Sequence, residues 1–92
     1  MKIQQKDDGE NGLFFIEQDG ETVAEMTYVR KGKDRIIIDH TQVDEKLKGQ
    51  GAGKKLVIKA IEFAREKGLK ITPVCTFAKS VFDKEIAFID VL

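Results

Sequence analysis

The sequence predicts a mixed α/β (α+β) fold in which a mainly antiparallel sheet carries two helices. The first half of the 92-residue chain has short apolar runs separated by Gly, Asp and Asn clusters at hairpin spacing. The pattern then changes to a helical period, and a short strand and a second helical segment follow. Because 92 residues support one hydrophobic core, residues 1–92 are expected to form a single domain.

Three antiparallel strands are predicted at the start of the chain. A weak first strand covers residues 2–6, and residues 13–17 and 21–30 form a hairpin. Gly20 stands in the turn between them, because glycine adopts the positive φ that a tight turn requires.

The fourth predicted strand covers residues 34–43 and contains three consecutive isoleucines. Such a run is typical of a central strand that is covered on both faces. Simple alternation places Ile36, Ile38 and His40 on one face and Thr41 and Val43 on the other, unless a bulge intervenes.

One long helix is predicted from about residue 51 to 67, where apolar residues recur at helical spacing and Gly68 provides a C-terminal cap. Residues 70–75 form a fifth strand, and a short helix covers about residues 77–84. Pro73 cannot donate a hydrogen bond to a neighbouring strand. The fifth strand is therefore expected to lie at an edge of the sheet, or to part from its neighbour at that point.

The 16 basic and 16 acidic side chains balance, which argues against nucleic acid or a membrane as a partner. The single cysteine, Cys75, excludes an internal disulfide, and no apolar run approaches 18 residues. A cytoplasmic protein without a metal site, present as a monomer or weak dimer, is expected. Lysines cluster around one glycine-rich segment: Lys46, Lys48, Lys54, Lys55 and Lys59.

Residues 49–53 carry glycine at alternate positions between a predicted strand and a predicted helix. Such a loop lets backbone N–H groups converge on an anion at a helix N-terminus, although the same glycines also suit a purely structural turn. A nucleotide-hydrolysing loop would need Ser or Thr after Lys54, where Lys55 stands. A dinucleotide-binding unit would open with a parallel strand, whereas antiparallel strands are predicted here. The sequence therefore argues against both nucleotide hydrolysis and hydride transfer.

Residues 43–56 resemble the acyl-coenzyme A signature of the GCN5-related N-acetyltransferase (GNAT) superfamily. Lys48 occupies the Gln/Arg position of the Q/R-x-x-G-x-G/A pattern, and Gly51 and Gly53 occupy its two small positions. The predicted order of elements is also similar to that superfamily. The resemblance implies a minimal GNAT fold.

The resemblance is closer to a small single-domain, NATD1-like branch of that superfamily and extends over residues 13–92. This branch shares a histidine at the end of the strand, here His40, and a Pro-x-Cys-x-Phe run, here residues 73–77. Longer members continue into two more strands that help enclose the acceptor, so the resemblance implies that an acceptor-selecting wall is missing here.

The resemblance implies that acetyl-coenzyme A is the cofactor. Its pantetheine arm would bond to strand backbone where two central strands splay apart. A strand that leaves its neighbour can also tolerate a proline, here Pro73. The backbone amide near Val43 would meet the thioester carbonyl. The implied cofactor-binding residues are Thr41, Val43, Lys48, Gly49, Gln50, Gly51, Ala52, Gly53, Lys54, Phe77, Lys79 and Lys84.

Two side chains are the candidate catalytic residues. His40 is the only histidine, and a histidine titrates in the range that suits a general base, although it could instead bond to backbone or pack beneath the site. The Cys75 thiol could protonate the leaving thiolate or accept the acetyl group, although a buried, inert cysteine is the common alternative.

Lys79 and Lys84 could reach the cofactor's 3′-phosphate or be solvated helix lysines, and Phe77 and Phe82 could belong to the core. The favoured function is an acetyl-CoA-dependent N-acetyltransferase that acts on a primary amine of unknown identity. An acyl-CoA-binding or sensing module with little or no turnover is the alternative. A small interaction domain with a structural glycine loop is a third interpretation.

Overall fold

A computed structural model describes residues 2–92. Its elements are β1 (Gln4–Asp7), β2 (Asn11–Gln18), β3 (Glu21–Lys31), β4 (Arg35–Val43), a 3-10 helix (Glu45–Leu47), α1 (Ala52–Lys67), β5 (Lys70–Pro73), α2 (Thr76–Lys84) and a second 3-10 helix (Ile86–Val91). The sheet has the order β1-β2-β3-β4-β5; only β4 and β5 pair in parallel. The predicted mixed, mainly antiparallel sheet with two α-helices is therefore confirmed.

The turn between β2 and β3 is a tight two-residue connection. Gln18 pairs with Glu21, and the residues between them, Asp19 and Gly20, both have positive φ angles of 52° and 80°. Two positive φ angles define the hairpin turn whose twist matches that of the flanking strands. The positive φ predicted for Gly20 is confirmed, and Asp19 shares it.

The buried hydrophobic side chains, apart from Phe15, form one continuous cluster between one face of the sheet and the two α-helices. Helix α1 begins after Gly51 and ends at Gly68, whose amide donates to the Ala64 carbonyl. The predicted apolar stripe of this helix is buried: Leu56, Val57, Ala60, Ile61 and Ala64. No helix within residues 2–92 is long and apolar enough to cross a membrane.

β4 has a paired strand on each side, as predicted for the isoleucine-rich strand, but the prediction that it is covered on both faces is wrong. β4 is the fourth of five strands, next to the edge strand β5. Ile36 and Ile38 are fully buried, but Ile37, which points the opposite way, is only half-buried. The continuous buried cluster accounts for one face of β4, and the other face keeps access to solvent.

A β-bulge interrupts the pairing of β3 with β4. Thr27 pairs with His40 and Tyr28 with Ile38, so Asp39 is an extra residue on β4. Past the bulge the alternation changes phase, and Thr41 lies opposite the buried Met26 on the core face.

The bulge corrects the predicted faces of β4. His40 lies on the outer face of the sheet, away from Ile36 and Ile38, whereas simple alternation placed the three together. Thr41 and Val43 lie on the same face as Ile36 and Ile38 instead of on the opposite one. The extra residue is the physical reason, because one inserted residue reverses every later side chain of a strand.

β4 and β5 part after four residue pairs. The last pair joins Ile38 and Pro73, and the amides of Val74 and Cys75 then both donate to the Ile38 carbonyl, at 2.9 and 3.1 Å. Within residues 2–92 no strand pairs with β4 on this side beyond Ile38. The expectations drawn from Pro73, an edge strand that leaves its neighbour there, are both confirmed, and so is the predicted splay.

A polar cluster ties the first three strands together at one end of the core. The buried Tyr28 hydroxyl donates to Asp7 Oδ2 at 2.5 Å and accepts from Gln5 Nε2 at 2.8 Å, while Arg30 forms an ion pair with Asp7 at 3.0 Å. Burial, followed by the Asp7 bond, raises the pKa of Tyr28 to about 12, and the bond from Tyr28 is the main cause that lowers the pKa of Asp7. A Cβ on Gly12 would lie 2.2 Å from the Tyr28 ring, so only glycine fits beneath it.

Candidate functional site

Two adjoining clefts lie where β4 and β5 part and the helices begin. The first, here called the strand cleft, has a volume of about 350 Å³ and is lined by Thr41, Val43, Glu45, Lys48 and Phe77. The second, here called the helix cleft, has a volume of about 240 Å³. Its lining residues are Lys54, Phe77, Ser80, Val81, Lys84 and Glu85. Phe77 is common to both linings, so the two clefts lie side by side; together they are here called the groove.

The glycine loop contributes a series of unbonded backbone amides beside this groove. Gly49 and Gly51 have φ angles of 82° and 72°, and α1 starts directly after Gly51. Within residues 2–92, Gln50 is the one residue of 49–54 whose amide donates to the chain, to the Leu47 carbonyl at 3.1 Å. Five N–H groups are left without an acceptor: those of Gly49, Gly51, Ala52, Gly53 and Lys54.

Gly53 lets an aromatic ring lie against the first turn of α1. A Cβ at this position would come within 2.6 Å of the Phe77 ring. The ring is 42% exposed and stands between the two clefts, whereas Phe82 is buried in the core. The core interpretation is therefore confirmed for Phe82 and is wrong for Phe77.

The exposed edge of β4 presents further backbone donors to the strand cleft. The amide of Asp44 donates to the Val23 carbonyl at 2.8 Å, and Val43 pairs with Ala24. In an antiparallel pair this pattern makes Val43 a non-hydrogen-bonded position, whose N–H points away from β3. Thr41, two residues earlier, has the same orientation.

Cys75 lies at the junction of β5 and α2, where it caps the helix. Its Sγ accepts from the Ala78 amide at 3.3 Å and lies 3.3 Å from Thr41 Oγ1. The thiol is unpaired and half-buried, so it is not the fully buried cysteine of the inert alternative. The bulge at Asp39 is what turns Thr41 toward it.

His40 is not brought together with Cys75. It pairs with Thr27 on the outer face of the sheet, and its side chain is exposed and lines neither cleft. Within the described chain its ring makes no hydrogen bond, so it neither binds backbone nor packs beneath the site. His40 directly precedes Thr41 in β4, and the two side chains lie on opposite faces of the sheet.

The predicted cofactor lysines differ in their surroundings. Lys48 lines the strand cleft, Lys84 lines the helix cleft, and Lys79 is exposed and lines neither. Lys54 Nζ forms an ion pair with Glu85 Oε1 at 2.9 Å, between the start of α1 and the end of α2. Exposed lysine side chains thus flank the groove, and one of them, Lys54, is already paired with a carboxylate.

Four lining residues were not predicted from the sequence: Glu45, Ser80, Val81 and Glu85. Three positions of α2, Ser80, Val81 and Lys84, follow Phe77 at helical spacing, so the helical period contained the signal for that wall. Within residues 2–92 no group of three or more His, Cys, Asp or Glu side chains is arranged to hold a metal ion.

A larger depression, of about 530 Å³, lies over the first strands and reaches Asp8, Leu13 and Asp39. Its carboxylates are already bonded within the chain: Asp8 accepts from the Glu10 amide at 2.9 Å, and Asp39 from Thr27 Oγ1 at 2.6 Å. The groove beside the glycine loop has unbonded donors instead. It is therefore the better candidate for a binding site.

The comparisons with known proteins agree on one family. A sequence profile described as GCN5-related N-acetyl-transferase matches residues 13–91. The solution structure of a GCN5-like protein from Staphylococcus aureus is 41% identical in sequence, with a TM-score of 0.77, and the match covers 98% of this chain and 85% of that one. No curated protein is significantly similar in a sequence comparison.

More distant structures share the fold. A ribosomal-protein-alanine N-acetyltransferase from Brucella melitensis biovar Abortus 2308 is 17% identical, with a TM-score of 0.68 over 84% of this chain. A GNAT family acetyltransferase from Elizabethkingia anophelis with acetyl-CoA bound is 22% identical, with a TM-score of 0.60 over 70% of this chain. The chain covers 63% and 42% of the lengths of these two proteins.

Proposed function

The chain belongs to the GCN5-related N-acetyltransferase family, and on this premise we propose that it transfers the acetyl group of acetyl-coenzyme A to a primary amine. The five unbonded amides of residues 49–54, beside the groove that opens where β5 leaves β4, carry the proposal. In it, residues 1–92 act as a single N-acetyltransferase domain. We also assign the chain to the NATD1-like branch, on the basis of His40 and the run at residues 73–77.

The glycine loop fits a diphosphate. Within residues 2–92, and apart from the adjacent residues, no atom lies within 4 Å of a Cβ added at Gly49 or Gly51, so a ligand can approach the backbone there. Unbonded N–H groups at the start of a 16-residue helix combine direct donors with the partial positive charge of the helix terminus. Lys48 and Lys84 add exposed positive charge at the two clefts.

The strand cleft suits the amide-bearing arm of coenzyme A. The N–H groups of Thr41 and Val43 face the side of β4 that β5 leaves open, and an extended chain can pair with such an edge like an added strand. Val43 and Phe77, exposed by 36% and 42%, supply apolar surface for the methylene groups of the arm. The Val43 amide is the proposed donor to the thioester carbonyl.

Bound acetyl-coenzyme A would supply an activated thioester to the reaction. His40 is proposed as the base that removes a proton from the amine, which must be neutral to act as a nucleophile. Cys75 is proposed either to give a proton to the leaving thiolate or to carry the acetyl group itself. Its position beside the open edge of β4 supports both roles.

One observation favours the alternative function, an acyl-CoA-binding or sensing module with little turnover. His40 and Cys75 lie on opposite faces of the sheet, so the two candidate catalytic side chains do not line one chamber. The glycine loop and the strand cleft would bind the acyl donor in either case.

A titration of isotope-labelled protein with acetyl-coenzyme A tests the binding site. The amide resonances of residues 49–54 should shift at submillimolar cofactor, while those of the β2–β3 turn, at Asp19 and Gly20, serve as an internal control. If these resonances do not shift at millimolar cofactor, the result would contradict the proposed site and support the interpretation of the loop as a structural turn.

Turnover is tested separately with a panel of primary amines and a thiol-detecting reagent. An amine-dependent release of coenzyme A supports the transferase, and its absence with every amine supports the binding module. Intact mass at early times distinguishes the two roles of Cys75, because only a carrier gains an acetyl adduct that Cys75→Ser abolishes.

A further inference from the structure

The Thr41 hydroxyl and the Cys75 thiol form a hydrogen-bonded pair next to the strand cleft, which Thr41 lines and Cys75 does not. Their Oγ1 and Sγ atoms are 3.3 Å apart, and the contact is partly buried. We propose that Thr41 is a positioning residue, which fixes the direction of the Cys75 thiol and serves as its partner in both protonation states. The inference rests on the proposed function, which places Cys75 in the reaction.

The pairing depends on the bulge in β4. If β4 kept regular alternation through Asp39, without the bulge, Thr41 would share the outer face of the sheet with Ile37, and His40 would face the core. With it, the Thr41 side chain lies on the face that α2 covers, at the height where β5 ends and Cys75 caps the helix. The bulge in β4 therefore places the Thr41 hydroxyl next to the Cys75 thiol.

The hydrogen-bond inventory of the thiol explains why a hydroxyl is needed. The Ala78 amide can only donate to Sγ, so the thiol hydrogen needs another acceptor. Among the described residues, Thr41 Oγ1 is the acceptor within hydrogen-bond distance of Sγ. When the thiol loses its proton, the hydroxyl can rotate and donate to sulfur alongside the Ala78 amide. A side chain without a hydroxyl could do neither.

The reactivity of Cys75 toward iodoacetamide tests this pairing without cofactor. In this reaction the thiolate displaces iodide and forms a thioether, and intact mass follows the product. A hydrogen bond to a charged group changes the thiolate population by about tenfold. Since a less stabilised thiolate is also more nucleophilic, Thr41→Val should slow alkylation by about threefold.

Three further variants isolate the hydroxyl as the cause. Thr41→Ser keeps the hydroxyl and should react within about twofold of the unchanged protein. Thr27→Val removes a hydroxyl on the other face of the same bulge, where it binds Asp39, and should leave the Cys75 rate unchanged. If Thr41→Val does not fold by circular dichroism, the comparison is made between Thr41→Ala and Thr41→Ser.

An equal or faster rate for folded Thr41→Val would overturn the proposal, as would a Thr41→Ser variant as slow as Thr41→Val. Repeating the alkylation with millimolar coenzyme A separates this inference from the proposed function. If coenzyme A does not slow the alkylation of Cys75 in the unchanged protein, that result would count against the cofactor site alone. The effect of Thr41 on the free protein would still stand or fall by the first measurement.

Discussion

Adding one methyl group to the glycine loop separates its role in binding from its role in folding. Gly51 has a φ angle of 72°, and apart from its neighbours in sequence no described residue lies within 4 Å of a Cβ built there. Gly9, in a turn remote from the groove, has a φ angle of 95° and equally open surroundings. Gly51→Ala and Gly9→Ala therefore impose similar backbone strain in two different places.

Gly51→Ala and Gly9→Ala should differ in affinity for coenzyme A, and both should lose stability. A side chain in the left-handed region costs roughly 1–2 kcal/mol, so both variants should lower the free energy of unfolding by about that amount. In Gly51→Ala the methyl also enters space that the diphosphate would occupy. Loss of one hydrogen bond to a charged group, about 1.5–3 kcal/mol, should weaken coenzyme A binding by at least about tenfold.

Isothermal titration with coenzyme A measures the affinity, and urea unfolding of the free proteins measures the strain. We expect both variants to lose stability but only Gly51→Ala to lose affinity. Two results would refute the reasoning: wild-type affinity in Gly51→Ala, or the same loss of affinity in Gly9→Ala. The second would mean that the effect arises from general destabilisation.

Three further perturbations probe the groove and the stability of the fold. Gly53→Ala gains helix propensity but pushes a Cβ to within 2.6 Å of the Phe77 ring, so the ring resonances should shift while the melting temperature changes by less than about 4 °C; unshifted resonances would contradict the packing. Asp7 has a lowered pKa in the folded state, so its contribution is complete above the unfolded value near 3.8 and is lost as pH falls through the folded value. Asp7→Asn should therefore lose less stability than the unchanged protein between pH 5 and pH 2 in urea unfolding, and parallel losses would argue against this linkage. Glu85→Gln releases Lys54 from its ion pair, which should strengthen coenzyme A binding about two- to fivefold at low salt, a gain that 0.5 M salt should abolish; unchanged affinity at low salt would mean that Lys54 takes no part.

Local signals in the sequence were sufficient for most of the fold. The Asp19–Gly20 turn, the helix between Gly51 and Gly68 and the departure of β5 at Pro73 each depend on the conformational preference of one or two residues. The strand order depends on which partners meet in three dimensions, so the isoleucine run could not reveal that β4 lies beside the edge strand.

The candidate site was predictable where backbone chemistry defines it, and less so where side-chain direction does. The glycine spacing favoured a loop with available amides but also suited a structural turn, and within residues 2–92 five N–H groups of residues 49–54 have no acceptor. The contact between Thr41 and Cys75 depends on the bulge at Asp39. The alternation of residues along the strand does not show where this bulge lies. The ion pair between Lys54 and Glu85 joins residues 31 positions apart, beyond any local pattern.

The bulge also determines what a transferase built on this chain must do. It turns Thr41 toward the cleft proposed for the acyl donor and leaves the next residue back, His40, on the outer face of the sheet. If His40 is the base, the amine must approach from that outer face and reach the donor through the opening that β5 leaves beside β4. The same opening is lined by backbone N–H groups on the donor side, so the divergence of two strands would serve both substrates. A binding module would need only the cleft side of this arrangement, which makes the outer face of β4 the place where the two functions differ.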